Sequence, residues 1–428
     1  MEILFFTSYY PHNFGDTAFI KPEIVFLSKD FNKIHVMNIL TESLQYDKID
    51  TPINIYTVMP EKYMLKYTNK YLKIKAVFLS VLHPFKLALI LFFELIILLK
   101  QKKLKFQTLK TAIIYLLNAN ILAFLIKQYI LQNSEIKLIY TFWFKYETLA
   151  SLICKKYFNI QVKCITRTHG GDLYEFMQKN NYQPYKYWMD KYIDRIFFIS
   201  NAGYNYYLNH FAVTSKNKYV ISKLGIENNF PVKDILNKES SKDSLNIISC
   251  SGIITLKRIN LIIEALSKIN ELSINWTHIG DGTERISLEN TANKLIGNKS
   301  NIKYTFTGNL NNENVKEYYF NNYFDCFVST TSSEGLPVSM MEAISFGIPI
   351  ISSNVGGVSE IVNEETGILL NPDNCVEELV NALHKIASMT IQETKKLRES
   401  CRRYWENNFK AETQYNKFVN NLKELVLE

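Results

Sequence analysis

Two glutamates, Glu334 and Glu342, stand with seven residues between them in TTSSEGLPVSMMEAISFGIPIISSNVGGVSEIV, residues 330–362. Carboxylates accept hydrogen bonds from sugar or ribose hydroxyls when the chain brings them to one ligand. The residues between and after them favour such an arrangement. Pro337 suits the first helical position, where its missing N–H would be unsatisfied anyway. Gly347 suits the position just past a helix end, and Pro349 prevents continuation. Glu334 is therefore expected on a loop before a short helix, and Glu342 inside that helix. The amides of Gly335, Leu336 and Val338 crowd the helix start, a ready anion site fit for a diphosphate.

A second set lies elsewhere in the chain. His169 falls in Thr168-His169-Gly170-Gly171-Asp172 at the end of a strand, where a side chain reaches out of a sheet. Gly280-Asp281-Gly282 reads as a tight turn after a strand, shaping a pocket rather than doing chemistry. No D-x-D motif and no His/Asp cluster occurs, so a divalent metal bridging a diphosphate is not expected, nor any bound cofactor. No G-x-G-x-x-G follows the first strand, which argues against a nicotinamide or flavin dinucleotide fold.

Residues 330–362 resemble the E-x7-E signature of retaining GT-B glycosyltransferases, family 4 of the usual classification. Other stretches resemble that family in the expected order and together cover nearly the whole chain. CSGIITLKRINLIIEAL is similar to its phosphate-binding loop, HIGDGTER to its G-D-G turn, THGGDLYEF to its HG-x-D segment, and PHNFGDTAFIKPEI to its acceptor-side glycine loop. The nearest subgroup makes bacterial surface polysaccharides. The resemblance implies that Glu334 contacts the donor sugar beside the reaction centre and that Glu342 holds the ribose hydroxyls. Lys257 would neutralise the donor diphosphate behind the loop glycine Gly252, stabilising charge on the departing phosphate. The family often carries an Arg just after that glycine. Ile253 stands there instead, so Arg258 is the candidate second cation. His169 is assigned near the transferred sugar, Gly282 to the nucleotide pocket, and Gly15, Asp16 and Asp172 to the acceptor side.

Such residues need two sheets to position them. Strand–helix alternation runs from Ile3–Ser8 through a helix at Phe19–Asp30 and a strand at Lys33–Asn38. It returns at KLIYTF, VKCITRTHG, DRIFFIS and ISKLGI, with an apolar, Lys-rich, largely helical stretch at 62–133 between. Residues 227–244 read as linker. A second α/β set has strands at Leu245–Cys250, Ile274–Ile279, Ile302–Thr307, Cys326–Ser329, Ile348–Ser352 and Gly367–Leu370. From about Lys395 the chain is helical. The expected fold is α/β of GT-B type: two Rossmann-like doubly wound domains, 1–226 and 245–411, facing a central cleft, with a final helix at about 412–428 packing back on the first.

Composition sets the surroundings. In residues 1–222, 28 Lys and Arg stand against 15 Asp and Glu, so this half carries most of the basic charge within a total of +8. That implies an acidic partner: a phosphate-bearing substrate or an anionic membrane surface. No nucleic-acid-binding motif is present, so nucleic acid is not expected. None of the six cysteines forms a C-x-x-C, as in a reduced cytoplasmic protein. The N-terminus MEILFFTSYYPHNFGD lacks a basic n-region and reads as a buried strand rather than a signal. Ala76–Leu99 is apolar but broken by His83, Pro84, Lys86 and Glu94, too interrupted for a span. With KQKKLKFQTLK next to it, it suits either a core helix or peripheral attachment at the inner membrane face.

The expected reaction is therefore glycosyl transfer with retention, from a UDP- or GDP-linked sugar to a saccharide or polyprenyl-diphosphate-linked acceptor. Two alternatives stay open: a GT-B sugar-nucleotide epimerase, and a non-catalytic membrane-associated scaffold of the same fold.

Overall fold

Ile3, Leu4, Phe5 and Phe6 are all buried. A run of consecutive apolar residues hidden on both sides is the mark of a strand inside a parallel sheet covered by helices. The computed structural model describes residues 1–12, 15–38, 50–58, 84–214, 216–237 and 243–428, and it divides into two units.

The first unit comprises Met1–Lys223 and Tyr415–Glu428. Its strands are β1 (Glu2–Thr7), β2 (Lys33–Asn38), β3 (Ile55–Val58), β4 (Ile136–Thr141), β5 (Lys163–Thr168), β6 (Arg195–Phe198) and β7 (Tyr219–Ile221). They lie in the order β3-β2-β1-β4-β5-β6-β7, with parallel pairing throughout. Its helices up to the second unit are α1 (Thr17–Asp30), α2 (Pro84–Lys100), α3 (Phe106–Gln132), α4 (Tyr146–Tyr157), α5 (Lys186–Tyr192) and α6 (Asn201–His210). α3 buries Ala112, Leu116, Ala119, Ala123, Ile126 and Ile130, spaced to form one face. The strand order reverses between β1 and β4. Loops leaving those strands at their carboxyl ends diverge there, and such a point is where doubly wound sheets bind ligands.

The second unit is Leu224–Gln414. It holds α7 (Val232–Leu236), β8 (Leu245–Cys250), α8 (Asn260–Lys268), β9 (Ile274–Ile279), α9 (Arg285–Ile296), β10 (Ile302–Gly308), α10 (Asn312–Asn321), β11 (Cys326–Ser329), α11 (Val338–Ser345), β12 (Ile350–Ser353), β13 (Gly367–Leu370), α12 (Cys375–Ala387) and α13 (Ile391–Asn408). The sheet order is β10-β9-β8-β11-β12-β13, again parallel, and reverses between β8 and β11.

Three departures from the sequence reading have physical causes. β3 was not expected, because IYTV leaves Tyr56 half exposed at the sheet edge and lacks the buried-strand pattern. The last strand of the first unit is Tyr219–Ile221, so most of ISKLGI lies past it; Ile226 instead bridges to Lys410. α7 lies inside the segment read as linker. One buried side chain, Ile235, and the Arg398 guanidinium donating to the Ile235 carbonyl (3.3 Å) tie it to the second unit. The C-terminal helical stretch breaks, where the Ile226 amide donates to the Phe409 carbonyl (2.8 Å), into α13 and α14 (Ala411–Leu427), the latter close to the expected final helix at about 412–428. Of α14, residues from Tyr415 onward belong to the first unit: Phe418 packs 4.1 Å from the Arg167 guanidinium and edge-on to Phe197.

Candidate active site

In the second unit, the loop after β8 is strapped to the turn after β9. The Ile253 amide donates to the Asp281 carbonyl (2.9 Å), and the Glu284 amide to the Ile253 carbonyl (3.2 Å). A Cβ at Gly282 would fall 2.2 Å from the Ile253 carbonyl oxygen, so only glycine permits this approach. Gly252 is different: a Cβ there would meet nothing closer than 3.8 Å. That is ordinary contact with the Asp281 carbonyl, and Gly252 itself is exposed. Ile253 is buried, so the position that could carry a cation carries a core side chain.

The loop ends in a single 3-10 turn, Thr255–Lys257, and then a left-handed residue, Arg258. Arg258 differs from its expected role as second cation. Its guanidinium donates to the carbonyls of Thr330 (2.8 Å) and Thr331 (3.2 Å), while the Thr330 hydroxyl donates to the Arg258 carbonyl (2.8 Å). It thus braces the loop after β8 against the loop after β11. That brace presents Lys257, whose Nζ lies 2.5 Å from Glu334 Oε1, with both side chains largely shielded.

Glu334 stands on the loop, as its surroundings suggested. Pro337 is the N-cap of α11, one residue before the expected position, and its carbonyl accepts from the amides of Met340 and Met341. The amides of Gly335, Leu336 and Val338 make no hydrogen bond within the described residues. α11 ends in a Schellman turn: Gly347 is left-handed, with its amide on the Ile344 carbonyl and the Ile348 amide on the Ala343 carbonyl. This holds the helix short and rigid. Inside it, Glu342 is buried and its Oε1 accepts from Asn312 Nδ2 at 2.5 Å. Burial raises its carboxyl above the ordinary range, opposed by the Asn312 hydrogen bond and the Lys316 charge. Asn312 was missed. It sits 30 residues from Glu342 in an Asn-rich helix start, with no local sign of a partner.

In the first unit, the residues gather at the ends of β1, β4 and β5. The ring of His169 lies between Phe142 (4.6 Å) and Trp143 (4.4 Å). It is buried, and among the described residues neither ring nitrogen has a hydrogen-bond partner, though Nδ1 lies 3.8 Å from an Asp172 carboxylate oxygen. Asp172 was assigned to the acceptor, but its carboxylate is turned to the backbone. It accepts from the His169 amide and the Phe144 amide, each at 2.7 Å. Burial alone would raise its pKa, yet His169, the Lys186 charge and the Phe144 amide hold it down at about 2. Asp16 is likewise taken up inside the protein, accepting from the Ser8 amide (2.7 Å), the Tyr9 amide (2.9 Å) and Trp143 Nε1 (3.0 Å). Both aspartates position the loops that carry His169 and Trp143. Gly15 has φ +58°, and a Cβ there would lie 2.3 Å from the Tyr9 ring.

Two buried groups behind His169 escaped the sequence reading. Lys186 Nζ donates to the Phe144 carbonyl (2.5 Å), and burial brings its pKa down to about 7. Glu147, in the first turn of α4, has both carboxylate oxygens buried with no hydrogen-bond partner among the described residues, and burial lifts it to about 7. Neither PYKYWMD nor FKYET distinguishes these from surface charges. Among the described residues, no three or more His, Cys, Asp or Glu side chains come together as a metal site.

Two doubly wound units of this order, with glutamates and a lysine around a helix start, define a GT-B fold. Residues 232–408 match the family model described as Glycosyl transferases group 1. The apo lipopolysaccharide outer core galactosyltransferase WaaB shares this fold over 100% of this chain and 99% of its own, with TM-score 0.67 and 13% identity. Anabaena HepE, solved with UDP and glucose, covers 99% of this chain and 100% of its own, with TM-score 0.65 and 14% identity. In sequence, the Escherichia coli O-antigen biosynthesis glycosyltransferase WbnH is 33% identical over 130 residues, 30% of this chain and 34% of that protein. The chain spans 24% to 65% of the length of the first curated relatives that it matches.

Proposed function

We propose that this protein transfers a sugar from a nucleoside diphosphate sugar to a saccharide or lipid-linked acceptor, with retention and without a metal, in bacterial surface polysaccharide synthesis. The observation that carries this is the Lys257–Glu334 contact beside the open amides at the start of α11. A cation and a row of N–H donors suit a diphosphate whose charge grows as the sugar departs. Glu334 takes hydroxyls of that sugar, and Glu342 takes the ribose. In the first unit, His169 is the candidate group for the transferred sugar, with its Nδ1 3.8 Å from Asp172, whose carboxylate also holds the His169 amide. HepE's UDP and the O-antigen role in WbnH's name favour a uridine donor and a polysaccharide product here.

The test is calorimetry with a panel of nucleoside diphosphates, followed by turnover of the matching nucleotide sugars. UDP or GDP is expected to bind, and transfer is expected to persist in excess chelator. Loss of turnover on chelation, restored by Mg²⁺ or Mn²⁺, would overturn the metal-free part. Release of an altered free sugar without acceptor would point to epimerisation, and no nucleotide binding at all to a scaffold.

We further propose that the first unit rests on the inner face of the cell membrane. α2 turns Ile90, Glu94 and Leu98 inward, with Glu94 accepting from the Tyr182 hydroxyl (2.5 Å) and the Tyr185 amide (3.0 Å). Its other face leaves Phe85, Leu89, Phe92 and Leu99 exposed, each 60% or more. Lys100, Lys102 and Lys105 follow directly, while Lys103 is paired with Glu175 (2.6 Å). Residues 76–83 of the expected apolar stretch lie outside the described residues. α3 is long and apolar enough to cross a membrane, but its inner face is buried in the first core. An apolar stripe beside lysines suits an anionic lipid surface, with binding that weakens as salt rises. Flotation with anionic vesicles at low salt is expected to carry the protein, and Phe85→Ser/Phe92→Ser to lose it. No flotation at low salt would leave α2 as a core helix only.

A further inference from the structure

We infer that Asn312 is a positioning residue that sets recognition of the ribose hydroxyls through its hydrogen bond to Glu342. This rests on the reading above that Glu342 holds the ribose. The two side chains come from different βα units: Asn312 opens α10 after β10, and Glu342 lies in α11 after β11. Their contact, Nδ2 to Oε1 at 2.5 Å, is therefore a tertiary clamp. A carboxylate has room for several hydrogen bonds, so one amide on Oε1 leaves Oε2 and further lone pairs for a diol. Asn312 fixes the rotamer that presents them. It also supplies a donor to a carboxylate that burial would otherwise drive toward the protonated form, which accepts fewer hydrogen bonds. The cap of α10 is a separate residue, Asn311, whose side chain accepts from the Asn314 amide. Changing Asn312 leaves that cap intact.

The groups around Glu342 give the expected pH behaviour. Lys316 on α10 is the charge that favours the ionised form. Tyr319 on α10 and Cys250 at the end of β8 also face it. Burial pushes the thiol up to about 12 and the phenol higher, so neither changes charge near neutrality. Asn312→Ala then leaves Glu342 more readily protonated, and its ribose binding is weakest at low pH and improves as pH rises. Asn312→Asp behaves oppositely. At low pH the pair shares a proton and the aspartic acid donates as the amide did. At high pH two facing carboxylates repel and the donor is gone.

The experiment measures binding of UDP and GDP, each against its 2′,3′-dideoxy form, from pH 6 to 9. Asn312→Ala is expected to lose about ten-fold for the ribose form at pH 6, the scale of a hydrogen bond to a charged group, while the dideoxy form changes little. Asn312→Asp is expected to keep the ribose preference at pH 6 and lose it by pH 9. Equal losses for both ligands would make Asn312 merely structural and overturn the inference. An unchanged preference in both Asn312 variants, with Glu342→Gln abolishing it, would also overturn it. If Glu342→Gln itself keeps the preference, the ribose reading falls instead.

Discussion

Glu334→Gln is expected to lower kcat by about 10²–10³-fold, the scale of losing one preorganised electrostatic contact at a reacting centre. The same variant is expected to bind free nucleoside diphosphate a few-fold more tightly. The second effect follows from the ion pair: without ligand, Lys257 Nζ is held by Glu334 Oε1, and a diphosphate must compete for it. The neutral amide releases the lysine. From the sequence alone, near-normal affinity is the expectation, because nothing in the spacing shows that the two side chains meet. Glu342→Gln is the control. Ribose contacts exist in ground and transition states alike, so its loss raises KM and weakens nucleotide binding. Titration of each variant, beside steady-state rates with the true donor, separates the roles. Weakened nucleotide binding in Glu334→Gln with normal binding in Glu342→Gln would reverse them.

Lys257→Ala is expected to weaken nucleoside diphosphate binding by roughly 1.5–3 kcal/mol, as for a charge-assisted hydrogen bond. Two observations put it at the upper end. Ile253 is buried where a second cation could stand, and Arg258 is engaged with the Thr330 and Thr331 carbonyls. Removing the lysine also leaves Glu334 ionised beside the phosphates, so part of the loss is repulsion. Adding Glu334→Gln to Lys257→Ala is therefore expected to restore some affinity, a non-additivity natural to two groups in contact. Unchanged affinity in Lys257→Ala, measured by calorimetry, would remove Lys257 from the diphosphate site.

Much of the second sheet was legible because its strands are short apolar runs bounded by turn residues. Leu245–Cys250, Ile274–Ile279, Cys326–Ser329 and Gly367–Leu370 appear with the expected limits. α11 was legible through its end signals, Pro337 and Gly347. Edge and connecting pieces were not: β3 has a half-exposed strand pattern, and α7 anchors on one buried isoleucine. Among the site residues, local pattern marked where a charged group would stand but not where it would point. Asp16, Asp172 and Arg258 all turn to backbone groups supplied by other segments. Asn312, Lys186 and Glu147 carried no signal at all, since their significance lies in burial and in contacts tens of residues away.

The placement of Tyr415–Glu428 in the first unit has a consequence for synthesis on the ribosome. Arg167 and Glu23 form a fully buried ion pair, with Tyr140 donating to the glutamate at 2.7 Å and Phe418 covering the guanidinium. That cover is translated about 190 residues after Lys223, the last residue of the unit's main segment. At roughly 5–20 residues per second, the interval is about 10–40 s. Until then the first unit lacks the ring that covers the Arg167 guanidinium. The first unit therefore cannot reach its full set of contacts until the chain has passed through the second.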